Sequence, residues 1–124
     1  MKFLKCKKCG VIVGVIREPA DGTPFCGGDL EELVPNTVDA AAEKHVPVIA
    51  IEGQAVTVTI GEVDHPMIPE HFIEWIALET EQGMQRKSLE PGDAPVRSFS
   101  LAEGDKAVAA YAYCNLHGLW KADA

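Results

Sequence analysis

The sequence predicts an all-β protein in which an antiparallel β-sandwich follows a small N-terminal lobe. Short apolar or alternating segments recur along residues 37–124, and strong turn signals separate them. No segment shows a persuasive helical period, and only NTVDAAAEKH would form a single helical turn. About seven short strands with regular turns are typical of a β-sandwich.

The composition predicts a folded protein without polyanionic partners. Hydrophobic residues make up 47% of the 124 residues, which is enough for a core. The formal net charge is −8, whereas nucleic acids and anionic membranes attract clustered Lys and Arg, so we expect neither as a partner. Because MKFLKCKKCG has no apolar leader and VIVGVI is too short to span a bilayer, we expect a soluble, cytoplasmic protein.

The N-terminal lobe, residues 1–36, holds three of the four cysteines. CKKC at 6–9 and PFCGG at 24–28 flank the segment VIVGVI, which predicts one short strand, and the loop REPADGTP. In a cytoplasmic chain, cysteines are more often metal ligands or redox groups than disulfides. A lobe this short needs a metal or a docking surface to fold.

The sandwich region, residues 37–124, begins with a predicted hairpin. VPVIAI and AVTVTI are separated by EGQ, and Val56, Val58 and Ile60 alternate with threonines, which indicates one buried face. The later predicted strands are HFIEWIALET, QRKSL, VRSFSL and KAVAAYAYC. EPGDAP and AEGD supply turns between them.

The four histidines of the chain stand at predicted strand ends or in loops: His45, His65, His71 and His117. Two prolines in HPMIPEH exclude a regular helix between the second and third of them. Cys114 lies three residues before the last one, in YCNLHGLW. Strand ends gather at the edges of a sandwich, so these side chains either converge on a metal or remain separate, solvated groups.

Coordination chemistry narrows the metal if the five side chains converge. Structural zinc takes four ligands, so five are one too many. Blue copper uses two histidines, a cysteine and a weak axial methionine, but no methionine closely follows His117. Four imidazoles in a plane with an axial thiolate leave one open position, which suits a redox-active iron. A cupredoxin-like electron-transfer protein is the alternative, and a zinc domain on the N-terminal cysteines is a second.

Several blocks of the sequence resemble one known family. EKHVPVI (43–49), HPMIPEHFIEWI (65–76), EPGDAP (90–95) and YCNLHGLWKA (113–122) closely resemble, in this order, the superoxide reductases of the desulfoferrodoxin and neelaredoxin family. The N-terminal CKKCG and FCGG resemble the desulforedoxin-like domain of desulfoferrodoxins. The resemblance implies an immunoglobulin-like sandwich and an enzyme that reduces superoxide by one electron to hydrogen peroxide.

The same resemblance implies the residues of the site. Mononuclear non-haem iron would be held by four equatorial imidazoles and one axial thiolate, from His45, His65, His71, His117 and Cys114. Lys44 would attract and polarise superoxide, and Glu43 would be a displaceable ligand of ferric iron. The family further implies a rubredoxin-like electron donor and a homo-oligomer, either a dimer or a tetramer.

The N-terminal lobe departs from the family pattern at one position. Relatives with a second iron hold it with a C-x-x-C pair and two adjacent cysteines. Here Cys6 and Cys9 form the pair, but Cys26 is followed by Gly27 instead of a second cysteine. A four-thiolate site is therefore one ligand short, although Asp29 or water would complete a weaker zinc site. We expect a degenerate lobe whose cysteines are free thiols.

Overall fold

Nearly all regular structure in this protein is β, as the sequence predicts. The structure, a computed structural model, describes residues 1–21 and 28–124. The chain divides into two compact units, residues 1–34 and 35–124. Among the described residues, no helix has the length and apolar character needed to cross a membrane.

The first unit is a three-stranded antiparallel sheet in the order β2-β1-β3, with β1 at Lys2–Cys6, β2 at Ile12–Val15 and β3 at Leu30–Glu32. VIVGVI contains β2, but β1 and β3 were not predicted because neither shows a clear alternation of apolar and polar residues. A tight turn follows β1, in which Gly10 N–H donates to the Cys6 carbonyl at 3.0 Å. Cys26 and Gly27 lie outside the described residues.

The second unit contains one helical turn and seven strands. Their bounds are α1 Ala42–His45, β4 Pro47–Glu52, β5 Ala55–Ile60, β6 Ile73–Thr80, β7 Gly83–Ser88, β8 Val96–Ser100, β9 Ala107–Cys114 and β10 Gly118–Asp123. The strands form two antiparallel sheets, β10-β9-β6-β7 and β4-β5-β8. Sheets of four and three strands are the arrangement of an immunoglobulin-like sandwich, which confirms the predicted fold class.

The alternation in β5 identifies the core face correctly. Val56, Val58 and Ile60 are fully buried and pack in one cluster with Ile76 and Leu78 of β6. The sequence did not predict β10, because its six residues follow directly on the turn after β9 and mix apolar with charged side chains.

Strand termini that are distant in sequence meet at one edge of the sandwich. Pro47 at the start of β4 pairs with Ile60 at the end of β5. Ile73 at the start of β6 and Gly118 at the start of β10 both pair with Cys114 at the end of β9. The segments of His45 and His65 adjoin the first of these junctions, in the three-stranded sheet, and those of His71 and His117 adjoin the second, in the four-stranded sheet. Antiparallel pairing therefore forms two pairs of segments, and the packing of the two sheets brings the pairs to one edge.

Candidate metal centre

The four imidazole rings form a closed ring of neighbours in the order His45, His65, His71, His117. Successive ring centroids are 4.6, 4.7, 5.0 and 4.9 Å apart around this cycle. Successive ring planes meet at 75°, 81°, 78° and 89°. The diagonal from His45 to His71 is 6.2 Å, which is longer than any side of the cycle. The rings therefore surround a common centre.

Cys114 lies beside this ring of imidazoles. The ligand atoms of His45, His65, His71 and Cys114 all lie within 4.8 Å of one another. His117 belongs to the same cluster, because its Nδ1 lies 3.1 Å from His45 Nε2 and 3.9 Å from Cys114 Sγ. The cysteine is fully buried, whereas His71 and His117 are partly exposed. The sulfur therefore lies on the side of the cluster that faces the protein interior.

Backbone carbonyls fix the tautomers of two histidines. His45 closes the helical turn α1, and its Nδ1 lies 2.7 Å from the Ala41 carbonyl. His65 places its Nδ1 2.7 Å from the carbonyl of Pro66. A carbonyl only accepts, so each Nδ1 carries the proton and each Nε2 keeps a lone pair for the cluster. This is how protein metal sites commonly orient their histidine ligands.

The loop that carries His71 is held by backbone pairing and by Asn115. Ile68 and His71 exchange two backbone hydrogen bonds, of 3.1 and 3.0 Å. Asn115 Oδ1 accepts from Phe72 N–H at 3.0 Å, and its Nδ2 donates to the Glu70 carbonyl at 3.0 Å. One side chain therefore joins the loop of His71 to the loop between Cys114 and His117.

Burial favours the neutral form of His45, His65 and His71. Desolvation lowers the pKa of His65 from 6.5 to about 4, against the opposing effect of the bond to Pro66. Desolvation also lowers the pKa of His45, with smaller contributions from His117 and Lys44. The pKa of His71 is lowered first by desolvation, then by His117 and His45, and also by Lys44. Neutral imidazoles present the lone pairs that a metal requires.

The environment of Cys114 favours the neutral thiol unless a cation lies beside the sulfur. Desolvation raises the pKa of Cys114, while bonds from the backbone of Leu116 and His117 act in the opposite direction. A bound metal deprotonates a coordinating thiol despite burial. The two N–H groups would then stabilise the negative sulfur.

The side chains of the cluster fit a metal ion. Among residues 1–21 and 28–124, the buried side-chain nitrogen and oxygen atoms without a hydrogen-bond partner are His65 Nε2 and His71 Nε2. Such atoms are rare in folded proteins because each loses its hydration without compensation. Both belong to the histidine ring, where a metal would satisfy them. Imidazole nitrogens and a thiolate suit iron, copper or zinc.

Comparison with known proteins places the chain in a family. A sequence model of the desulfoferrodoxin family matches residues 37–123. The chain belongs to the desulfoferrodoxin family.

Full-length relatives of this desulfoferrodoxin-family chain extend the match. The desulfoferrodoxin of Nitratidesulfovibrio vulgaris is 45% identical over 123 residues, covering 99% of this chain and 96% of that protein. The desulfoferrodoxin of Syntrophotalea carbinolica is 44% identical over 123 residues, with the same coverage of 99% and 96%. The crystal structure of the superoxide reductase from Treponema pallidum superposes with a TM-score of 0.80 at 38% identity, covering 99% of this chain and all of that one.

The structure also gives the positions of Lys44 and Glu43. Both are exposed residues of α1, directly before His45. Lys44 contributes to the lowered pKa of both His45 and His71, so its positive charge acts across the cluster. The Glu43 carbonyl accepts from Val63 N–H at 3.1 Å, which ties α1 to the segment leading to His65.

Two residues of the centre were missed by sequence reasoning, Asn115 and Trp120. Asn115 lies between the predicted ligands Cys114 and His117, and its position in that loop was the available signal. Trp120 stacks on His45, with ring centroids 4.8 Å apart and planes at 26°. Its only sequence signal is the short spacing to His117 in HGLW.

Proposed function

We propose that this chain is a superoxide reductase, which reduces superoxide by one electron to hydrogen peroxide. Each turnover takes one superoxide anion, one electron and two protons, and yields one hydrogen peroxide. The closed ring of four imidazoles beside a buried cysteine carries this proposal. The likeness of the whole chain to the superoxide reductase of Treponema pallidum supports it.

Mononuclear iron is the metal that we propose for this centre. The residues that would hold it are His45, His65, His71 and His117 through imidazole nitrogens and Cys114 through its thiolate. When bound, iron would supply the one-electron chemistry that none of these side chains has alone. The presence of four imidazoles, rather than the two histidines of a blue-copper site, favours iron over copper.

Copper is further disfavoured by the surroundings of Met67. Met67 lies between His65 and His71 in sequence, and its sulfur accepts a hydrogen bond from Ile73 N–H at 3.4 Å. A cupredoxin-like site would need a weak axial sulfur ligand of this kind together with only two histidines. The Met67 sulfur is instead engaged by the Ile73 N–H, and a cupredoxin-like site would leave two of the four imidazoles without a role.

Lys44 is proposed to attract and orient superoxide. The chain carries a formal net charge of −8, which repels an anion at long range. The Lys44 ammonium acts on His45 and His71, so it offers a positive charge on the side of the cluster that reaches solvent. A cation there stabilises negative charge on the substrate and helps to donate protons through water.

Glu43 is proposed as a displaceable carboxylate ligand of the oxidised metal. It precedes Lys44 on the same exposed turn, and its charge raises the pKa of His45 slightly against the dominant effect of desolvation. Substitution Glu43→Ala should change the visible spectrum of the ferric protein while the ferrous protein still reduces superoxide. An unchanged ferric spectrum would remove Glu43 from the ligand set.

For residues 1–36 we propose a degenerate desulforedoxin-like lobe without a complete four-cysteine site, and residues 37–124 form the catalytic domain. Bonds from the backbone of Cys9 and Lys8 lower the pKa of Cys6. Such N–H groups stabilise a thiolate with or without a metal. Metal analysis should give one iron per chain, and a second metal or a four-thiolate iron spectrum would contradict the proposal.

We propose a rubredoxin-like protein as the electron donor, a homodimer or homotetramer as the assembly, and the cytoplasm as the location. The centre holds one electron at a time, so a one-electron carrier is the matching donor. Oxidation of reduced rubredoxin that depends on both superoxide and this protein would support a rubredoxin-like donor.

The proposed assembly is tested separately, by sedimentation of the iron-loaded chain. A monomer would contradict a homodimer or homotetramer.

The proposed activity can be tested with the iron(II)-loaded chain and a zinc-loaded control. Zinc occupies similar ligands but has no redox chemistry, so it separates electron transfer from simple anion binding. We expect one superoxide consumed and one hydrogen peroxide formed per iron, with no oxygen released by the protein. Oxygen release in a dismutase ratio would contradict the reductase assignment. Selective retention of copper would instead favour an electron-transfer protein.

A further inference from the structure

Trp120 contacts two of the four histidines of the centre in different ways. Its ring stacks on the ring of His45 at a centroid distance of 4.8 Å and an angle of 26°. Its indole Nε1–H donates to the backbone carbonyl of His117 at 3.1 Å. Trp120 is only 3% exposed, so both contacts are made in a dry environment.

These contacts leave little freedom to the two histidines. The bond from His45 Nδ1 to the Ala41 carbonyl fixes one edge of that ring, and the indole restricts rotation of its face. The bond to His117 holds the backbone of the turn before β10, where Gly118 has a φ of +77°. The inward nitrogens of the two rings are 3.1 Å apart, so an error in either would misplace a neighbouring ligand atom.

The second tryptophan of the chain provides a comparison. Trp75 lies on β6 and stacks on Tyr113 at 5.8 Å with planes at 8°. Both tryptophans are buried aromatic residues of the same four-stranded sheet. Trp120 stacks on a histidine of the centre, whereas Trp75 stacks on Tyr113. Burial alone therefore does not account for the position of Trp120.

We propose that Trp120 is a positioning residue that orients His45 and His117 and thereby controls how tightly the centre retains its metal and at what potential it works. This inference rests on the proposed function for one point, which is that the metal is iron. Residues that orient metal ligands from behind commonly change metal affinity on the order of 10–100-fold when they are replaced. The indole supplies such support to two neighbouring ligands at once.

Two variants separate the two contacts. Trp120→Phe keeps an aromatic face against His45 but removes the hydrogen bond to the His117 carbonyl. Trp120→Leu removes both the aromatic stacking and the hydrogen bond. Trp75→Phe is the matched control, because it makes the same substitution at a buried tryptophan that stacks on Tyr113.

The measurements use full-length, iron-loaded chains and do not depend on superoxide. They are the rate of iron(II) transfer to a strong chelator, the energy of the visible absorption band of the iron(III) protein, and the reduction potential. We expect iron release about 3–10-fold faster in Trp120→Phe and on the order of 10–100-fold faster in Trp120→Leu, with the band and the potential shifted in both. Trp75→Phe should leave all three unchanged.

The outcomes distinguish positioning from packing. One outcome is that Trp120→Leu and Trp75→Phe both lower the melting temperature and yet match the parent in iron release, band energy and reduction potential. In that case Trp120 only fills space, and the inference is wrong. If Trp120→Phe matches the parent while Trp120→Leu does not, the stacking acts and the hydrogen bond does not, which overturns the two-contact role. If the parent binds no iron, the proposed function fails first and the inference fails with it.

Discussion

Lys44 brings a positive charge to the histidine cluster of an acidic chain, and its role is separable from metal binding. Lys44→Ala should slow the reaction with superoxide about tenfold and weaken its dependence on ionic strength, because electrostatic attraction of an anion is screened by salt. Stopped-flow or pulse-radiolysis kinetics measure this rate. The iron content should stay the same.

Lys106→Ala is the matched control for Lys44→Ala. Lys106 is exposed just before β9, at the opposite end of the strand from Cys114, and its removal changes the net charge equally. Its rate should stay within about twofold of the parent, since charges more than about 10 Å apart are largely screened at 0.1 M salt. Equal slowing in both variants would indicate bulk charge rather than a local role.

Asn115 illustrates how one side chain couples two loops of the centre. Asn115→Ala removes two side-chain hydrogen bonds to the backbone beside His71, so the free energy of unfolding should fall by about 1–3 kcal/mol. Iron release to a chelator should also become faster. Denaturant unfolding and chelator kinetics give the two values.

Gln85→Ala serves as the control for Asn115→Ala. Gln85 Nε2 donates to the Ser100 carbonyl at 2.8 Å, and both residues lie on strands away from the histidine loops. Its loss should cost about 0.5–1.5 kcal/mol and leave iron release unchanged. If Asn115→Ala also leaves iron release unchanged, the asparagine stabilises the fold without positioning ligands.

At the scale of elements, the turn after β5 is packed directly against α1. Gly61 has a φ of +83°, and a Cβ at this position would lie 2.5 Å from the Val63 carbonyl oxygen and 2.7 Å from that of Lys44. Gly61 N–H also donates to the Val46 carbonyl at 3.1 Å. The turn that carries Glu43, Lys44 and His45 therefore depends on the absence of a side chain at residue 61.

Gly61→Ala should be much more damaging than the same change at an open glycine. The left-handed backbone costs an alanine about 1–2 kcal/mol and the overlap about 1–3 kcal/mol more. Gly104 has a similar φ of +84° with no atom within 4 Å of the added Cβ, so Gly104→Ala should cost only the first of these. Equal destabilisation, measured by denaturant unfolding, would mean that the contact with α1 relaxes freely.

At the scale of the whole molecule, burying uncharged imidazoles links folding to pH. The pKa of His65 falls from 6.5 to about 4 on folding, and those of His45 and His71 are also lowered. Between these values the unfolded chain binds more protons than the folded one. The metal-free protein should therefore be most stable above about pH 6.5 and lose stability as the pH falls towards 4.

Unfolding of the metal-free protein at several pH values between about 7.5 and 4.5 measures this effect. His65→Asn should show a shallower loss of stability over the same interval, because one of the titrating groups is gone. A slope equal to that of the parent would mean that His65 is not desolvated in the folded, metal-free chain.

The sequence alone determined the fold class and the kinds of side chain available to the centre. Alternation in AVTVTI and the turn residues of EPGDAP act over a few neighbouring residues, so they can be interpreted without a structure. The blocks around the histidines carried the resemblance to the desulfoferrodoxin family, which the family match over residues 37–123 confirms. The strands β1, β3 and β10 escaped prediction because they lack a clear local period.

Only the tertiary structure decided how those side chains meet. His45 and His117 are 72 residues apart in sequence and precede strands of different sheets, yet the packing of the two sheets brings their nitrogens within 3.1 Å. The structure selected Nδ1 of His117 as the inward nitrogen and revealed the supporting contacts of Trp120 and Asn115. Distances across a sandwich depend on register and close packing rather than on local propensity, so no short stretch of sequence encodes them.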